Sequence, residues 1–399
     1  MTSAIEPDQE RFRTELRAWL RSRRELDVDP ETRGRSAEEL DKATLERGRR
    51  FQRALWEAGY AGISWPAGVG GRGLDPSFEA IYRQEVAEFE MPTFMFNVGL
   101  GMCGPTILAH GTPWQQSRFL PPLLRGEELW AQLFSEPGAG SDLAAVTTKA
   151  RRVDGGWHLS GQKVWTSSGR FADFGLALVR TDISRPKHDG ITMFIVDMRA
   201  PGVEVRPLRQ MTGYAKFDEV FLDEVRVPDE HLVGSLNAGW TCARTTLTAE
   251  RGAVGRNTAQ RGGSFHVLLD AARKSGKDSD PRIRQHLAEI YASERISSWL
   301  AARARDAGPG RGHPAGAVAK LHSSSLIRSA SRLGVEISGP SAVAWESGGD
   351  DQWALRFCAA PGLSIGGGTD EIIKNSVGDR ILGLPREPIS DRDIPFDQL

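Results

Sequence analysis

The spacing of hydrophobic residues divides the chain into three parts. Up to about residue 128, segments such as 9–26 place apolar side chains at helical spacing. From about 129 to 235 the pattern changes to short β-prone runs separated by turn residues, for example "GITMFIVDM" at 190–198. Helical spacing returns beyond about 237. The predicted domains are 1–128 (helical), 129–236 (β) and 237–399 (helical).

A run of three glycines, Gly366–Gly368, precedes the last predicted helix. Glycine permits positive φ and close approach of a ligand to the backbone, but it is also an ordinary turn residue. Thr369 has the position of a helix N-cap, and Asp370 and Glu371 would complement the helix dipole in the first turn. The sequence therefore predicts a loop followed by a capped helix, and local pattern alone gives these carboxylates a structural explanation.

Composition and charge limit the classes of function. A chain of 399 residues with 39% hydrophobic and 26% charged residues can bury a large core in two or three domains. A formal net charge of −1 does not favour nucleic acid or an anionic membrane as a partner. The three cysteines are scattered without CxxC spacing, and no apolar run approaches the roughly 20 residues of a membrane span. We expect a cytoplasmic protein with small ligands.

Two short motifs are misleading. "GVGGRG" at 68–73 satisfies the dinucleotide-binding pattern G-x-G-x-x-G, but it follows no convincing strand and lies in no βαβ unit. "DFG" at 173–175 has no kinase catalytic loop before it. We predict a surface turn at the first site and part of a strand at the second. The sequence also lacks HExxH, GxSxG and metal-ligand spacing, so no metal site is expected.

Two segments carry groups that suit a planar, phosphorylated cofactor. Residues 131–150 contain Ser135, Ser141 and a Gly-Ala-Gly turn, which offer hydroxyl and backbone donors. Residues 161–182 contain Trp165, a broad flat surface followed by three hydroxyl side chains. An amphipathic β-hairpin with a half-buried tryptophan is the competing structural explanation.

With these segments in view, the chain resembles the acyl-CoA dehydrogenase family. The resemblance rests on "SEPGAGSD", "GQKVWTSSG", "VRVPDEHLVG" and "GGTDEI" with "DRILGLPRE", which occur in the family's order between about residues 8 and 388. It implies a multi-domain α+β fold: an N-terminal helical domain, a middle β-barrel-like domain and a C-terminal four-helix bundle. It also implies one FAD per chain and a dimer-of-dimers assembly.

The resemblance assigns roles to individual residues. Ser135 would contact the flavin pyrimidine edge and Ser167 the flavin N5, with Trp165 packed against the ring. Ser141 would lie near the FAD pyrophosphate and the substrate. Three further FAD contacts are implied at Arg273, Thr369 and Glu371. The phenylalanine that usually follows the arginine is missing here, which weakens the expected contact of Arg273 across subunits.

The same resemblance shows that a catalytic group is missing from its usual place. Oxidation of an acyl thioester needs a carboxylate near Cα, and most members carry a glutamate directly before the Gly-Thr of the C-terminal loop. Here that position is Gly367, which cannot take a proton. Its backbone N–H can still bond the thioester carbonyl and stabilise the developing enolate. The base therefore lies elsewhere, or the chain does not catalyse dehydrogenation.

Glu250, on the first helix of the C-terminal part, is the candidate base. Some branched-chain and long-chain members of the family carry their glutamate at the corresponding helix position. Its i±3 and i±4 neighbours are uncharged: Thr246, Leu247, Ala253 and Val254. A carboxylate on such a stripe either points into solvent or is held in a dehydrated site suited to a general base. Arg251 would be a structural or substrate-positioning cation.

These observations favour FAD-dependent dehydrogenation of an acyl-CoA or acyl-carrier thioester to the trans-2-enoyl thioester, with an electron-transferring flavoprotein as acceptor. Because the base lies on the helix, space beside the loop favours a branched, cyclic or bulky acyl group. Two alternatives are a flavin oxidase or monooxygenase on the same fold, and a non-catalytic subunit of a heteromeric dehydrogenase. Homo-oligomer and heteromer with a related chain both remain open.

Overall fold

The computed structural model describes residues 7–23, 42–86, 94–261, 265–306, 314–344, 352–385, 388 and 393–399; within the helix that ends at Arg261, side chains beyond residue 250 lie outside the description. The chain forms two compact units, Met1–Ala249 with Ser390–Leu399, and Glu250–Ile389. The predicted helical, β and helical order is confirmed.

The N-terminal part is helical. Its helices are α1 (Pro7–Ser22), α2 (Lys42–Glu57), α3 (Pro76–Val86), α4 (Gly104–His110) and α5 (Pro113–Leu124). Helix α5 begins with a complete capping box, in which Thr112 Oγ1 accepts from the Gln115 N–H and Gln115 Oε1 accepts from the Thr112 N–H. The buried carboxylate of Glu85 on α3 binds Arg13 and Arg17 of α1, which fixes these two helices together.

A mixed eight-stranded sheet follows, in residues that are all described. Its strands are β1 (Trp130–Leu133), β2 (Lys149–Val153), β3 (Gly156–Ser167), β4 (Phe174–Arg180), β5 (Ile191–Asp197), β6 (Val203–Leu208), β7 (Phe217–Pro228) and β8 (Leu232–Val233). The order is β6-β7-β3-β2-β4-β5-β8, and β1 pairs in parallel with β4.

The central strands β4 and β5 are buried on both faces, which explains their nearly continuous apolar sequences. Alternate side chains enter two different clusters. Leu176, Leu178 and Met193 pack in the cluster that contains the N-terminal helices, whereas Ala177 and Phe194 pack in a cluster on the other face. The second cluster consists of residues from the strands and their connecting loops, so different parts of the sheet pack against each other there.

A buried ion pair lies inside this sheet. Lys163 on β3 is fully buried, and its Nζ donates to Glu136 Oε1 at 2.7 Å and to the carbonyls of Phe134 and Leu178 at 3.1 and 2.6 Å. Burial lowers the pKa of Lys163 to about 8, against the influence of Glu136, so the amine remains protonated at neutral pH.

Glu136 has donors on both oxygens. Oε2 accepts from the N–H and the hydroxyl of Thr147 at 2.7 and 2.8 Å, and Oε1 accepts from the Thr148 N–H at 3.0 Å. Burial alone would raise the pKa of Glu136, but the charge and hydrogen bond of Lys163, with the threonine donors, lower it to about 2. The pair is therefore ionised and satisfied, which is the condition for a buried ion pair to be tolerated.

The C-terminal part is again helical. Its helices are α6 (Gly239–Arg261), α7 (Phe265–Lys274), α8 (Pro281–Asp306), α9 (Pro314–Ser338), α10 (Gln352–Leu363) and α11 (Asp370–Arg380). Leu268 of α7, Leu287 of α8 and Leu333 of α9 share one core. A Cβ built on Gly334 would lie 2.1 Å from the ring of Trp353, so glycine lets α9 and α10 approach closely.

We predict that Lys163→Met lowers the free energy of unfolding by about 3–5 kcal/mol, because it leaves the buried Glu136 carboxylate without its counter-charge. Urea unfolding followed by circular dichroism measures the loss. Lys149→Met, at an exposed position of β2, is the control and should change stability by about 0.5 kcal/mol or less. Adding Glu136→Leu to Lys163→Met should recover part of the loss; full additivity of the two changes would contradict an interacting pair.

Candidate functional site

The loop 135–142 is a tight turn that is anchored to the sheet by the buried side chain of Glu136. The Glu136 N–H donates to the Ala139 carbonyl and the Ala139 N–H to the Glu136 carbonyl, both at 3.0 Å. Among the described residues, nothing lies within 4 Å of a Cβ built on Gly138 or Gly140, so this backbone faces open space. Ser141 is exposed and Ser135 is half-buried. The turn can therefore offer backbone donors and two hydroxyl groups to a ligand.

A backbone hydrogen bond brings the two predicted cofactor segments together. The Val164 N–H donates to the Ser135 carbonyl at 2.9 Å, and the Glu136–Lys163 ion pair connects the same two segments one residue away. Ser135 thus lies beside the part of β3 that immediately precedes Trp165. The structure thus brings these segments together, although they are about 30 residues apart in sequence.

Trp165 lies on a strained, exposed bulge of β3. The β3–β7 register shifts between Lys163 and Thr166, and Trp165 has φ +61° with its side chain 56% exposed. Its ring makes an edge contact with Phe217 at a centroid distance of 5.7 Å. A left-handed tryptophan costs on the order of 1–3 kcal/mol, and such strain persists where the surroundings fix it. The ring is therefore more exposed than the competing explanation, a half-buried hairpin tryptophan, predicts.

The turn that follows is held by a second buried carboxylate. Ser168 also has positive φ, +53°, and leads into a 3₁₀ turn at Gly169–Phe171. Asp218 on β7 is fully buried and accepts from the Arg170 N–H and Nε at 3.0 and 2.8 Å. Burial raises the pKa of Asp218, although Arg170 opposes this. Arg170 and Asp218 therefore fix the chain beside Ser167.

The hydrogen-bond donors and the aromatic surface of this region suit FAD. Thr166 Oγ1 is buried and has no hydrogen-bond partner within the described residues. The open backbone of Gly138 and Gly140, the exposed Trp165 ring and the hydroxyl groups nearby are the kinds of group that bind a flavin and a pyrophosphate.

The three glycines form a loop before a capped helix, as predicted. Gly367 and Gly368 have φ +69° and +90°, a conformation that favours glycine. Thr369 is the N-cap of α11, and its hydroxyl oxygen accepts from the Ile372 N–H at 3.1 Å.

Asp370 lies in the first turn of α11, as predicted, but it also has a tertiary partner. Its carboxylate is buried against Lys320 Nζ of α9 at 2.7 Å. Burial opposes ionisation, yet the hydrogen bond and charge of Lys320 lower the pKa of Asp370. Glu371 is exposed, with an ion-pair distance of 4.0 Å to Lys374, and can contact a ligand.

The remaining candidates lie in the second unit. Glu250 is half-buried on α6, and Arg273 is exposed in the last turn of α7. The side chain of Arg251 lies outside the described part of the chain. The second unit therefore contains Glu250, Arg273 and the glycine loop, and the first contains Ser135, Ser141, Trp165 and Ser167.

Sequence patterns did not reveal the charged groups that fix these segments, namely Glu136, Lys163, Asp218 and Lys320. One signal was present: Lys163 stands at an inward position of an otherwise alternating strand, where only a paired lysine is tolerated.

The misleading motifs are structural. Residues 68–73 form an exposed turn next to a short 3₁₀ segment, Ala67–Val69. Asp173 precedes β4 and accepts from the Leu129 N–H at 2.8 Å. Among the described residues, no cluster of His, Cys, Asp or Glu could hold a metal ion, and no helix has the length and apolar character to cross a membrane.

Comparison with protein families gives three matches in the same order as the three parts. Residues 6–127 match the acyl-CoA dehydrogenase N-terminal domain, 131–225 the middle domain and 237–382 the C-terminal domain.

Individual relatives belong to the same family as the matched domains. FadE34 of Mycobacterium tuberculosis is 42% identical over 339 residues, which are 84% of this chain but 46% of the length of FadE34. IpdE1 of the same organism is 34% identical over 383 residues, covering 95% of this chain and 99% of IpdE1. Both are named acyl-CoA dehydrogenases.

Solved structures show the same fold. The Tcur3481-Tcur3483 steroid ACAD is 28% identical, with a TM-score of 0.81 over 96% of this chain and 99% of that chain. The ChsE4-ChsE5 complex from Mycobacterium tuberculosis is 28% identical, with a TM-score of 0.78 over 97% of this chain and 100% of that chain. The matched domains, the full-length relative and the shared fold together show that this chain belongs to the acyl-CoA dehydrogenase family of flavin-dependent oxidoreductases.

Proposed function

We propose that this protein binds FAD and dehydrogenates an acyl-CoA or acyl-carrier thioester to the trans-2-enoyl thioester. The observation that carries the proposal is the pairing of the two motif segments through Ser135 and Val164, which presents an exposed, strained Trp165 beside several donors. Similarity to IpdE1 along almost the whole chain supports the reaction class.

In this proposal the first unit holds the flavin. Trp165 packs against the ring, while Ser135 and Ser167 donate hydrogen bonds to its edge. Ser141 lies towards the pyrophosphate and the thioester. When bound, FAD supplies the acceptor for the hydride from the substrate Cβ, at its N5.

Further contacts to the dinucleotide are proposed from three residues. Thr369 and Glu371 stand at the N-terminus of α11, where the Glu371 N–H and the helix dipole favour an anionic ligand. Arg273 adds a cation in the last turn of α7, suited to a pyrophosphate.

Glu250 is the proposed base. The glycine loop offers no carboxylate at Gly367, and Asp370 is committed to its buried ion pair with Lys320. Glu250 takes the α-proton of the thioester, and the Gly367 N–H bonds the carbonyl oxygen on which negative charge develops. Arg251 binds substrate in this proposal.

A bulky acyl group suits this arrangement. A base on a helix leaves room beside Gly367, which has no side chain of its own. Two of the similar solved structures carry the name steroid ACAD, which supports a polycyclic or otherwise bulky acyl group here.

The electron acceptor is proposed from the chain's family, and the assembly from one of the similar solved structures. An electron-transferring flavoprotein would reoxidise the flavin in the cytoplasm. The ChsE4-ChsE5 complex contains two named chains, so assembly with a related chain stands beside a homotetramer.

We predict that Glu250→Gln lowers kcat by about 10² or more while FAD remains bound, because the amide cannot accept the proton. Stopped-flow reduction of the flavin by a good acyl-CoA measures the step. Glu289→Gln, at an exposed position of α8, is the matched control and should leave kcat unchanged. Near-normal turnover of Glu250→Gln would refute the assignment of the base.

We also predict that the combination of Glu250→Gly with Gly367→Glu partly restores activity. A glutamate at 367 has to adopt the left-handed backbone of Gly367, at a cost of roughly 1–2 kcal/mol, so rescue should be incomplete. We expect kcat about tenfold above Glu250→Gly but below wild type. The control combines Glu250→Gly with Gly367→Ala, which has the same strain and no carboxylate. Equal rates for the two double variants would argue against a carboxylate reaching the substrate from this position.

Finally, we predict that cyclic or polycyclic acyl-CoA thioesters bleach the flavin with at least about tenfold higher kcat/KM than straight-chain thioesters of four to eight carbons. The reason is the space that a side chain at Gly367 would otherwise fill. Anaerobic absorbance of the purified protein across such a panel measures it. Preference for a short straight chain would contradict the proposed substrate class without affecting the reaction class.

A further inference from the structure

Helix α9 carries a polar stripe on one face. Lys320, Ser324 and Arg328 are spaced at i, i+4 and i+8, so their side chains lie above one another along the helix. Lys320 and Ser324 are 5% and 1% exposed. A buried lysine and serine on a bundle helix need polar partners, because each would otherwise lose its hydration without compensation.

The stripe faces the two ends of the glycine loop. At the start of the loop, Lys320 Nζ donates to the Ser364 carbonyl at 3.5 Å. Ser324 Oγ donates to the Lys320 carbonyl at 3.0 Å and lies 3.3 Å from the Leu363 carbonyl. At its end, Lys320 Nζ binds Asp370 Oδ1 at 2.7 Å. Arg328 lies 3.8 Å from the other carboxylate oxygen of Asp370.

A backbone hydrogen bond completes this arrangement. The Asp370 N–H donates to the Ser364 carbonyl at 2.9 Å, so the backbone from Ser364 to Asp370 forms a closed ring. Lys320 contacts both residues where the ring closes. The position of the ring on α9 therefore depends chiefly on the Lys320 ammonium group, with Ser324 and Arg328 as weaker contacts.

The first part of the ring is held by the Ile365 and Gly366 N–H groups, which donate to the Gly362 carbonyl at 3.2 and 2.9 Å, but little packs against the rest. Gly366–Gly368 have no side chains to pack, and glycine gains more conformational freedom than other residues when it is released. A buried, hydrogen-bonded ion pair contributes conformational specificity more reliably than stability. Here the ion pair selects one conformation of Gly367 and Gly368. Their φ values of +69° and +90° determine the direction of their N–H groups.

We propose that Lys320 is a positioning residue for the active site: through Asp370 and Ser364 it sets the conformation of the Gly366–Gly368 loop and the N-terminus of α11. The inference rests on the proposed function, in which the Gly367 N–H bonds the thioester carbonyl and Thr369 and Glu371 lie beside FAD. Lys320 touches neither ligand in this arrangement.

The test compares Lys320→Met, Asp370→Asn and the conservative Lys320→Arg with wild type. Arg332→Met, which removes a cation from an exposed position of the same helix α9, is the matched control. Hydrogen–deuterium exchange of residues 364–372 reports loop conformation, fluorescence titration of the apoprotein gives the FAD dissociation constant, and the visible spectrum reports the flavin environment. Circular dichroism establishes that each variant is folded.

We expect Lys320→Met and Asp370→Asn to exchange the loop amides at least about tenfold faster and to bind FAD about tenfold more weakly, with a shifted flavin band. Lys320→Arg keeps the charge and should recover most of both effects, and Arg332→Met should resemble wild type. If Lys320→Met does not fold, Asp370→Asn, which is nearly isosteric, provides the comparison.

Unchanged loop exchange in the folded variants would overturn the proposal, as would faster exchange with unaltered FAD affinity and spectrum. A wild-type protein that binds no FAD at all would instead refute the proposed function. The exchange data would then decide the positioning role by themselves, so the two failures are distinguishable.

Discussion

The ion pair between Glu136 and Lys163 joins the two segments on which the first half of the site depends. Lys163 stands two residues before the exposed Trp165, and Glu136 is the second residue of the turn that exposes Ser141. Both charges are buried, so neither segment can shift without leaving a charge unpaired in the sheet interior. A ligand-facing surface with open backbone at Gly138 and Gly140 is thus held by a rigid, dehydrated layer behind it. The left-handed conformation of Trp165 persists because this layer fixes the strand on both sides.

The second unit also has a buried ion pair beneath a glycine-rich segment. Lys320 and Asp370 are buried behind a loop of glycines, as Lys163 and Glu136 are buried behind the turn at 135–142. In both cases the segment offered to a ligand is rich in glycine and hydroxyl groups and has little packing of its own. Its conformation is determined by a charge pair beneath it. The two tasks are therefore carried out by different residues. The segment close to a ligand needs small residues and an accessible backbone, whereas the residues that orient this segment need to be buried and to form ion pairs.

The sequence was sufficient to predict the order of the three parts, the turn at 68–73 and the N-cap at Thr369, because these depend on local periodicity and short-range hydrogen bonds. It was not sufficient for the partner of Asp370. Thr369 followed by two acidic residues is typical of a helix start, and nothing in that pattern points to a lysine 50 residues earlier. Glu136 and Lys163 were missed for the same reason, since they are 27 residues apart and meet only when β3 pairs with its neighbours. Ion pairs between distant segments depend on tertiary packing, which short-range propensity does not encode.

The position of the proposed base follows from the same constraint on the loop. A residue that carries a side chain at 367 would have to adopt a left-handed backbone, and Asp370, the carboxylate nearest in sequence, is needed to hold the loop on α9. The loop therefore keeps the function that glycine performs well, a backbone N–H presented without obstruction, and loses the one that requires a side chain. A helix can present a carboxylate with ordinary φ and ψ, because its backbone is already satisfied and only a rotamer has to be chosen. In the proposed mechanism, proton abstraction by Glu250 on α6 would therefore avoid a conflict between backbone geometry and chemistry in the loop, and the lack of a side chain at Gly367 would leave space for the acyl group.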